Sequence, residues 1–272
     1  MAPMSNRLLV PRKTPGLLDL VPGAAAAYSL RSLSNSYADP VVTVRRSSDD
    51  AEDSFTASEV ADGTLAAFAG AGDAFVKQWW DQSGNARHAS QATTTAQPQI
   101  VDTGVVILDD GKPALRFDNS NDTLVLASTV AFSGEFSFYS VQRETGARLV
   151  AFGGTVVAGG DGSFFGTSSG TFVLVRNTSD TGLTVSGVDV SQRLLLAAVR
   201  SGTGTNQTTA FLNGASLATG TMASTFNLRQ VGARLTVNFS GGTLSEAIAY
   251  AESHSPSTRQ LLEAQIAWSY SV

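Results

Sequence analysis

The chain has 272 residues, of which 42% are hydrophobic and only 15% charged, with 26 glycines and no cysteine. A net charge of −5 gives no basic field to hold a polyphosphate backbone, so nucleic acid is not an expected partner. The missing cysteines remove disulfides, thiolate metal sites and a cysteine nucleophile, and no segment approaches the roughly 20 apolar residues of a membrane-spanning helix.

Residues 1–23 differ in character from the rest. They hold Pro3, Pro11, Pro15 and Pro22, and they set Arg7, Arg12 and Lys13 against a single acid, Asp19. One reading is a frayed terminus. The other is an extended arm that anchors the protein to neighbouring subunits through Leu8, Leu9, Arg12, Lys13, Leu17 and Leu18, because a purely solvated tail has no use for two leucine pairs. The apolar stretch is cut by Pro15, Gly16, Asp19, Pro22 and Gly23, which makes a poor signal peptide. Synthesis in the cytoplasm, without that export route, is expected.

Residues 24–272 read as one domain. Ala24 to Leu33 predicts a short helix, because alanine is the best helix former. Pro40 to Arg45 is a β-branched strand, and Phe75 to Asp81 is another, ended by turn chemistry at Gln82-Ser83-Gly84-Asn85. From residue 100 onward, short apolar runs alternate with turn signals such as Asp109-Asp110-Gly111 and Gly159-Gly160-Asp161-Gly162. That rhythm belongs to an all-β sandwich or barrel. Phe136 to Val141 alternates as a half-buried strand, and Asn213-Gly214 is the strongest hairpin turn in the chain. A closing helix is predicted with Ser255 as N-cap, Pro256 at its first position, and Leu261, Leu262 and Ile266 at helical spacing.

Chemistry is sparser. Trp79 and Trp80 are adjacent on a strand and point to opposite faces. Both are packing residues, or one is a platform for a sugar ring; a carbohydrate site there takes in Trp79, Trp80, Asp81 and Asn85. Asp118-Asn119-Ser120-Asn121-Asp122 offers oxygen ligands of the kind calcium prefers, but its spacing favours a turn that satisfies its own backbone. No metal or other cofactor is otherwise expected. His88 reads as a loop residue. Most acids of the domain, among them Asp118, Asp122, Glu135, Glu144 and Asp161, sit beside Gly, Ser or Asn and read as turn formers, and a Glu in a strand is usually on the solvent face. Asp81, after the two tryptophans, and Glu246, inside a strand, are the two that would matter in a hydrolase.

Four stretches occur in a familiar order: Ala27-Tyr28-Ser29-Leu30-Arg31, Val44 to Asp49, Trp80 to Asn85, and Gly111 to Asp118. They resemble the N-terminal half of the catalytic domain of AbfB-type α-L-arabinofuranosidases, and a group of phage and prophage structural proteins that share that half. Phe211 to Gly214 and Leu244 to Tyr250, followed by a helix, resemble the closing segment of concanavalin A-like (LamG-type) domains. The resemblance implies an all-β jelly-roll sandwich of two antiparallel sheets, with a short N-terminal and a C-terminal helix. It carries the expectation of a bacteriophage virion surface protein, a capsid decoration, head fibre or tail component. Such a protein is lectin-like, homo-oligomeric and without catalytic residues, held to other virion proteins by its arm and binding host glycans through its sandwich. The alternative is a glycoside hydrolase of arabinofuranosidase type.

Overall fold

The computed structural model describes residues 14–154, 162–174, 182–235 and 237–272. The molecule is mostly β. Among the described residues a nearly barrel-shaped antiparallel sheet links 19 strands, and a 15-residue helix, Pro256–Tyr270, packs on its outside. No described helix is long and apolar enough to cross a membrane.

The centre of the sheet is the strand Gly241–Tyr250. One of its edges pairs along its length with Phe136–Glu144. Its other edge is shared by Leu115–Asp118 and Ala24–Ser29. Gln99–Asp102 continues the sheet around the fold, because it pairs with both Leu115–Asp118 and Ala74–Trp79.

Two cores result from the alternation of side chains along these strands. Phe136 and Phe138 point into the main core, where they stack at 4.2 Å and meet the edges of Phe132 and Phe226. Tyr139 and Val141 point the other way, into a smaller core closed by Leu262 and Ile266 of the C-terminal helix. The strand is therefore buried on both faces and not half-buried: the closing helix covers what alternation alone assigns to solvent. Buried Arg200 pins one end of the main core, donating to the carbonyls of Phe132, Gly134 and Ser224 at 2.5–2.7 Å.

The helix expected at Ala24–Leu33 is instead the strand Ala24–Ser29, with Ala27 opposite Ile248 and Ser29 opposite Glu246. All six of its residues are buried, between the two cores. Alanine suits that position because it lets the strand fit between layers on both sides, and the pairing outweighs a helix preference of a few tenths of a kcal/mol per residue. Helix instead appears just before it, as the single turn Leu17–Leu20. Leu17 is fully buried in the smaller core and Leu18 is half-buried against it. Leu8, Leu9, Arg12 and Lys13 lie outside the described residues.

Other local expectations hold. Asn213 and Gly214 take positive φ of 48° and 81° between Thr208–Leu212 and Ala215–Gly220, the backbone that a two-residue hairpin turn requires. Ser255 Oγ accepts the Thr258 N–H at 3.2 Å with Pro256 in the first turn, while Leu261 faces solvent. Asp161 and the glycines before it lie outside the described residues.

Candidate functional site

The strand Ala74–Trp79 carries an open cleft at each end. At its C-terminal end the two tryptophans separate as expected. Trp79 is fully buried beside Tyr28, with ring centroids 5.6 Å apart. Trp80 is half-buried and lines a cleft of about 490 Å3. Its Nε1 donates to Thr43 Oγ1 at 2.9 Å, and the His88 ring leans on it at 4.6 Å. His88 Nδ1 accepts the Asp81 N–H at 3.1 Å. The sequence predicts His88 only as a loop residue, because nothing local marks its contact with Trp80.

Asp81 lies in the wall of this cleft, but its carboxylate is spent on the backbone. Oδ1 accepts the N–H groups of Ala27 and Ser83 at 2.8 and 3.0 Å, and Oδ2 accepts Ser83 Oγ and the Arg87 N–H at 2.8 and 3.0 Å. Gln82 does similar work, donating to the carbonyls of Ser29 and Arg31 and accepting the Leu33 N–H. Asn85 does not line the cleft; its Nδ2 donates to the carbonyls of Ala24 and Ala25. The Asp-Gln-Ser-Gly-Asn motif is thus a clasp that ties the turn to the strand Ala24–Ser29.

Glu246 is likewise committed. It is 1% exposed, takes two bonds from Arg31 at 2.8 and 2.9 Å, and accepts Ser29 Oγ at 2.9 Å and Tyr270 Oη at 3.2 Å. This cluster fastens the C-terminal helix to the central strand. Glu144 accepts the Ser169 N–H from a buried position, and Glu135 is exposed.

A different carboxyl emerges at the other end of the strand. There a cleft of about 380 Å3 is bordered by Phe75, Gln97, Arg45, Arg116, Asp118 and Asp122. Arg45 lies over the Phe75 ring at 5.1 Å and donates to Gln97 Oε1 at 2.9 Å, which fixes one wall. On the other wall Asp118 Oδ1 braces the loop by accepting the N–H groups of Ser120 and Asn121. Asp122 is 5% exposed and its Oδ2 accepts the Asp118 N–H at 3.0 Å. Burial, and then the charge of Asp118, push the Asp122 carboxyl up to about 7, against the pull of that backbone bond. The loop is the Asx turn expected from sequence, and it also holds a carboxyl that keeps its proton near neutrality. Local sequence gives no sign of this, because the largest cause of the shift is burial, which only the folded chain creates. Among the described residues no group of three or more His, Asp or Glu could hold a metal ion.

No protein-family model matches the chain. No curated protein matches it in sequence either. Solved structures do match. An arabinofuranosidase complexed with arabinofuranosyl-α-1,2-xylobiose superposes with a TM-score of 0.65 at 16% identity over 94% of this chain. A GH54 α-L-arabinofuranosidase soaked with a cyclic sulfate inhibitor gives a TM-score of 0.66 at 16% identity. A glutamate-to-glutamine mutant of a GH54 enzyme, soaked with 4-nitrophenyl α-L-arabinofuranoside, gives 0.65 at 16% identity. The chain spans 65% of the length of each of these proteins. The likeness defines a sheet-rich glycosidase fold.

These matches overturn the expectation of a non-enzymatic, lectin-like virion surface protein of capsid or tail, since the solved proteins that share the fold along nearly the whole chain are glycoside hydrolases. The reason lies in what the shared motif does. Asp81, Gln82 and Asn85 clasp a strand, so the motif tracks the scaffold and does not distinguish one use of it from another.

Proposed function

We propose that this chain is a glycoside hydrolase domain of arabinofuranosidase type, its sheet folded as the two layers of a concanavalin A-like jelly roll, and that it removes furanosyl units from a polysaccharide. The observation that carries the reading is the carboxyl pair Asp118 and Asp122 beside an aromatic wall. Hydrolysis of a glycosidic bond needs one carboxyl that still holds its proton and a second that does not. Asp122, held protonated up to about pH 7 by burial, is the general acid for the departing sugar oxygen. Asp118, exposed on the same rim, takes up the proton of the attacking water or assists the anomeric carbon directly. Phe75 offers apolar contact to the sugar ring, and the more exposed Arg116 offers donors to its hydroxyls, while Arg45 is held by Gln97, Asp50 and Thr94. Asp81 and Glu246 have no part in the chemistry, because their oxygens are taken by structural bonds.

The likeness to arabinofuranosidases supports the choice of substrate class. The test is incubation with arabinoxylan and arabinan, with released arabinose measured by chromatography. Wild-type protein should release arabinose. Asp122→Asn should lose at least about a hundredfold, since a positioned acid contributes on the order of 100- to 10,000-fold. Release unaffected by Asp122→Asn, or none from any furanosyl polymer, would overturn the proposal.

A further inference from the structure

The Trp80 cleft lies five strand residues from Phe75, roughly 16 Å along the strand, so it is separate from the cleft that holds Asp122. We propose that the Trp80 cleft is a second carbohydrate site, which holds one neutral sugar ring of a polymer away from the hydrolytic cleft.

Three features carry this. The first is a fixed aromatic platform. The bond from Trp80 Nε1 to Thr43 and the His88 ring against its face already hold the indole in one orientation. Little side-chain freedom is then lost when a ligand stacks on it. The second is a convergent polar rim. His88 Nδ1 accepts a backbone N–H, which leaves Nε2 as the ring nitrogen that carries a proton, a donor for a sugar oxygen. The exposed Asp39 carboxylate and the Ser36 hydroxyl supply acceptors for paired sugar hydroxyls on the same rim. The third is rigidity beneath. The bonds of Asp81 and Gln82 fix the backbone that carries Trp80, so the site is built before a ligand arrives.

Charge selects the ligand class. The cleft is lined by two carboxylates, Asp39 and Asp81, and no lysine or arginine lines it among the described residues. A uronate or a phosphorylated sugar would meet repulsion there, whereas a neutral arabinose or xylose ring would not. A ring stacked on an aromatic face also matches the half-buried state of Trp80, which a purely structural tryptophan on this strand, like Trp79, does not share.

Calorimetric titration of Asp122→Asn protein tests this without hydrolysis of the ligand, using arabinohexaose, xylohexaose and polygalacturonate as probes. Binding of a neutral hexaose is expected, with polygalacturonate weaker. Adding Trp80→Ala should weaken the neutral ligand about tenfold, while Trp80→Phe, which keeps a ring, retains most of the affinity. Equal melting temperatures of the Ala and Phe variants separate lost binding from lost folding; if Ala melts lower, the Phe variant and His88→Ala carry the test. No binding of a neutral hexaose at millimolar concentration, or binding indifferent to residues 80 and 88, overturns the proposal. Arabinose release tracks the hydrolase reading independently, so Trp80-dependent binding without turnover would leave this site standing and remove the other.

Discussion

Glu246→Gln separates a structural from a catalytic carboxylate. The wild-type side chain is 1% exposed and bonded at both oxygens to Arg31, which is 27% exposed, and to Ser29 and Tyr270 as well. Breaking a buried ion pair costs about 3–5 kcal/mol. Two facts place this change at the low end. Arg31 is partly solvated, and a glutamine keeps an oxygen that can accept from Ser29 and from one guanidinium nitrogen. A loss of about 3 kcal/mol follows, which in a domain of this size is a fall of about 6–12 °C in melting temperature. Urea unfolding followed by circular dichroism should show a lower midpoint with an unchanged slope. A double-mutant cycle with Arg31→Met should return a coupling of about 2 kcal/mol. Sugar release per folded molecule should be unchanged. Glu246→Gln protein that melts like wild type and has lost turnover would refute the reasoning and return Glu246 to the active site.

Asp122 gives a pH-dependent prediction. Its carboxyl is raised to about 7 in the folded chain, while the unfolded value is about 3.9. The folded state holds a proton that the unfolded state releases, so this group's contribution is complete below about pH 4 and is lost as the pH rises through about 7. Asp122→Asn should match wild type in urea unfolding at pH 4 and exceed it by about 2–4 kcal/mol at pH 8; an equal difference at both values would contradict the burial argument. Gly153 sits where a Cβ would run into the Ala233 carbonyl oxygen, backbone that cannot swing aside. Gly153→Ala should therefore lower stability by about 1–3 kcal/mol in thermal melts, and a neutral effect would show that the strand Arg148–Gly153 has room to move.

The legible parts of the fold were those written in local chemistry. Asn213-Gly214 specifies its hairpin by φ alone, and Ser255-Pro256 starts its helix by capping. Ala24–Ser29 was misread because its fate is decided by a strand more than two hundred residues away, which no local propensity registers. The site divides the same way. Alternation alone separates Trp79 from Trp80, and the structure places one in the core and one in a cleft. Asp81 stands out in sequence after two tryptophans and Glu246 inside a strand, yet their oxygens are taken by Ala27, Ser83 and Arg87 and by Ser29, Arg31 and Tyr270, most of them distant in sequence. Asp122 looked like a turn former and is one. Its raised proton affinity depends on burial in the folded chain and on the charge of Asp118, and burial is not written in the local sequence.

The most direct test of the central claim is the pH–rate profile of wild-type protein on 4-nitrophenyl α-L-arabinofuranoside, with kcat/KM followed by nitrophenolate release. A general acid at Asp122 predicts turnover that holds through mildly acidic pH and falls tenfold per unit above about pH 7, a limb absent in the residual activity of Asp122→Asn. A profile with no limb near 7, or wild-type protein that releases no nitrophenolate at any pH, would contradict the account.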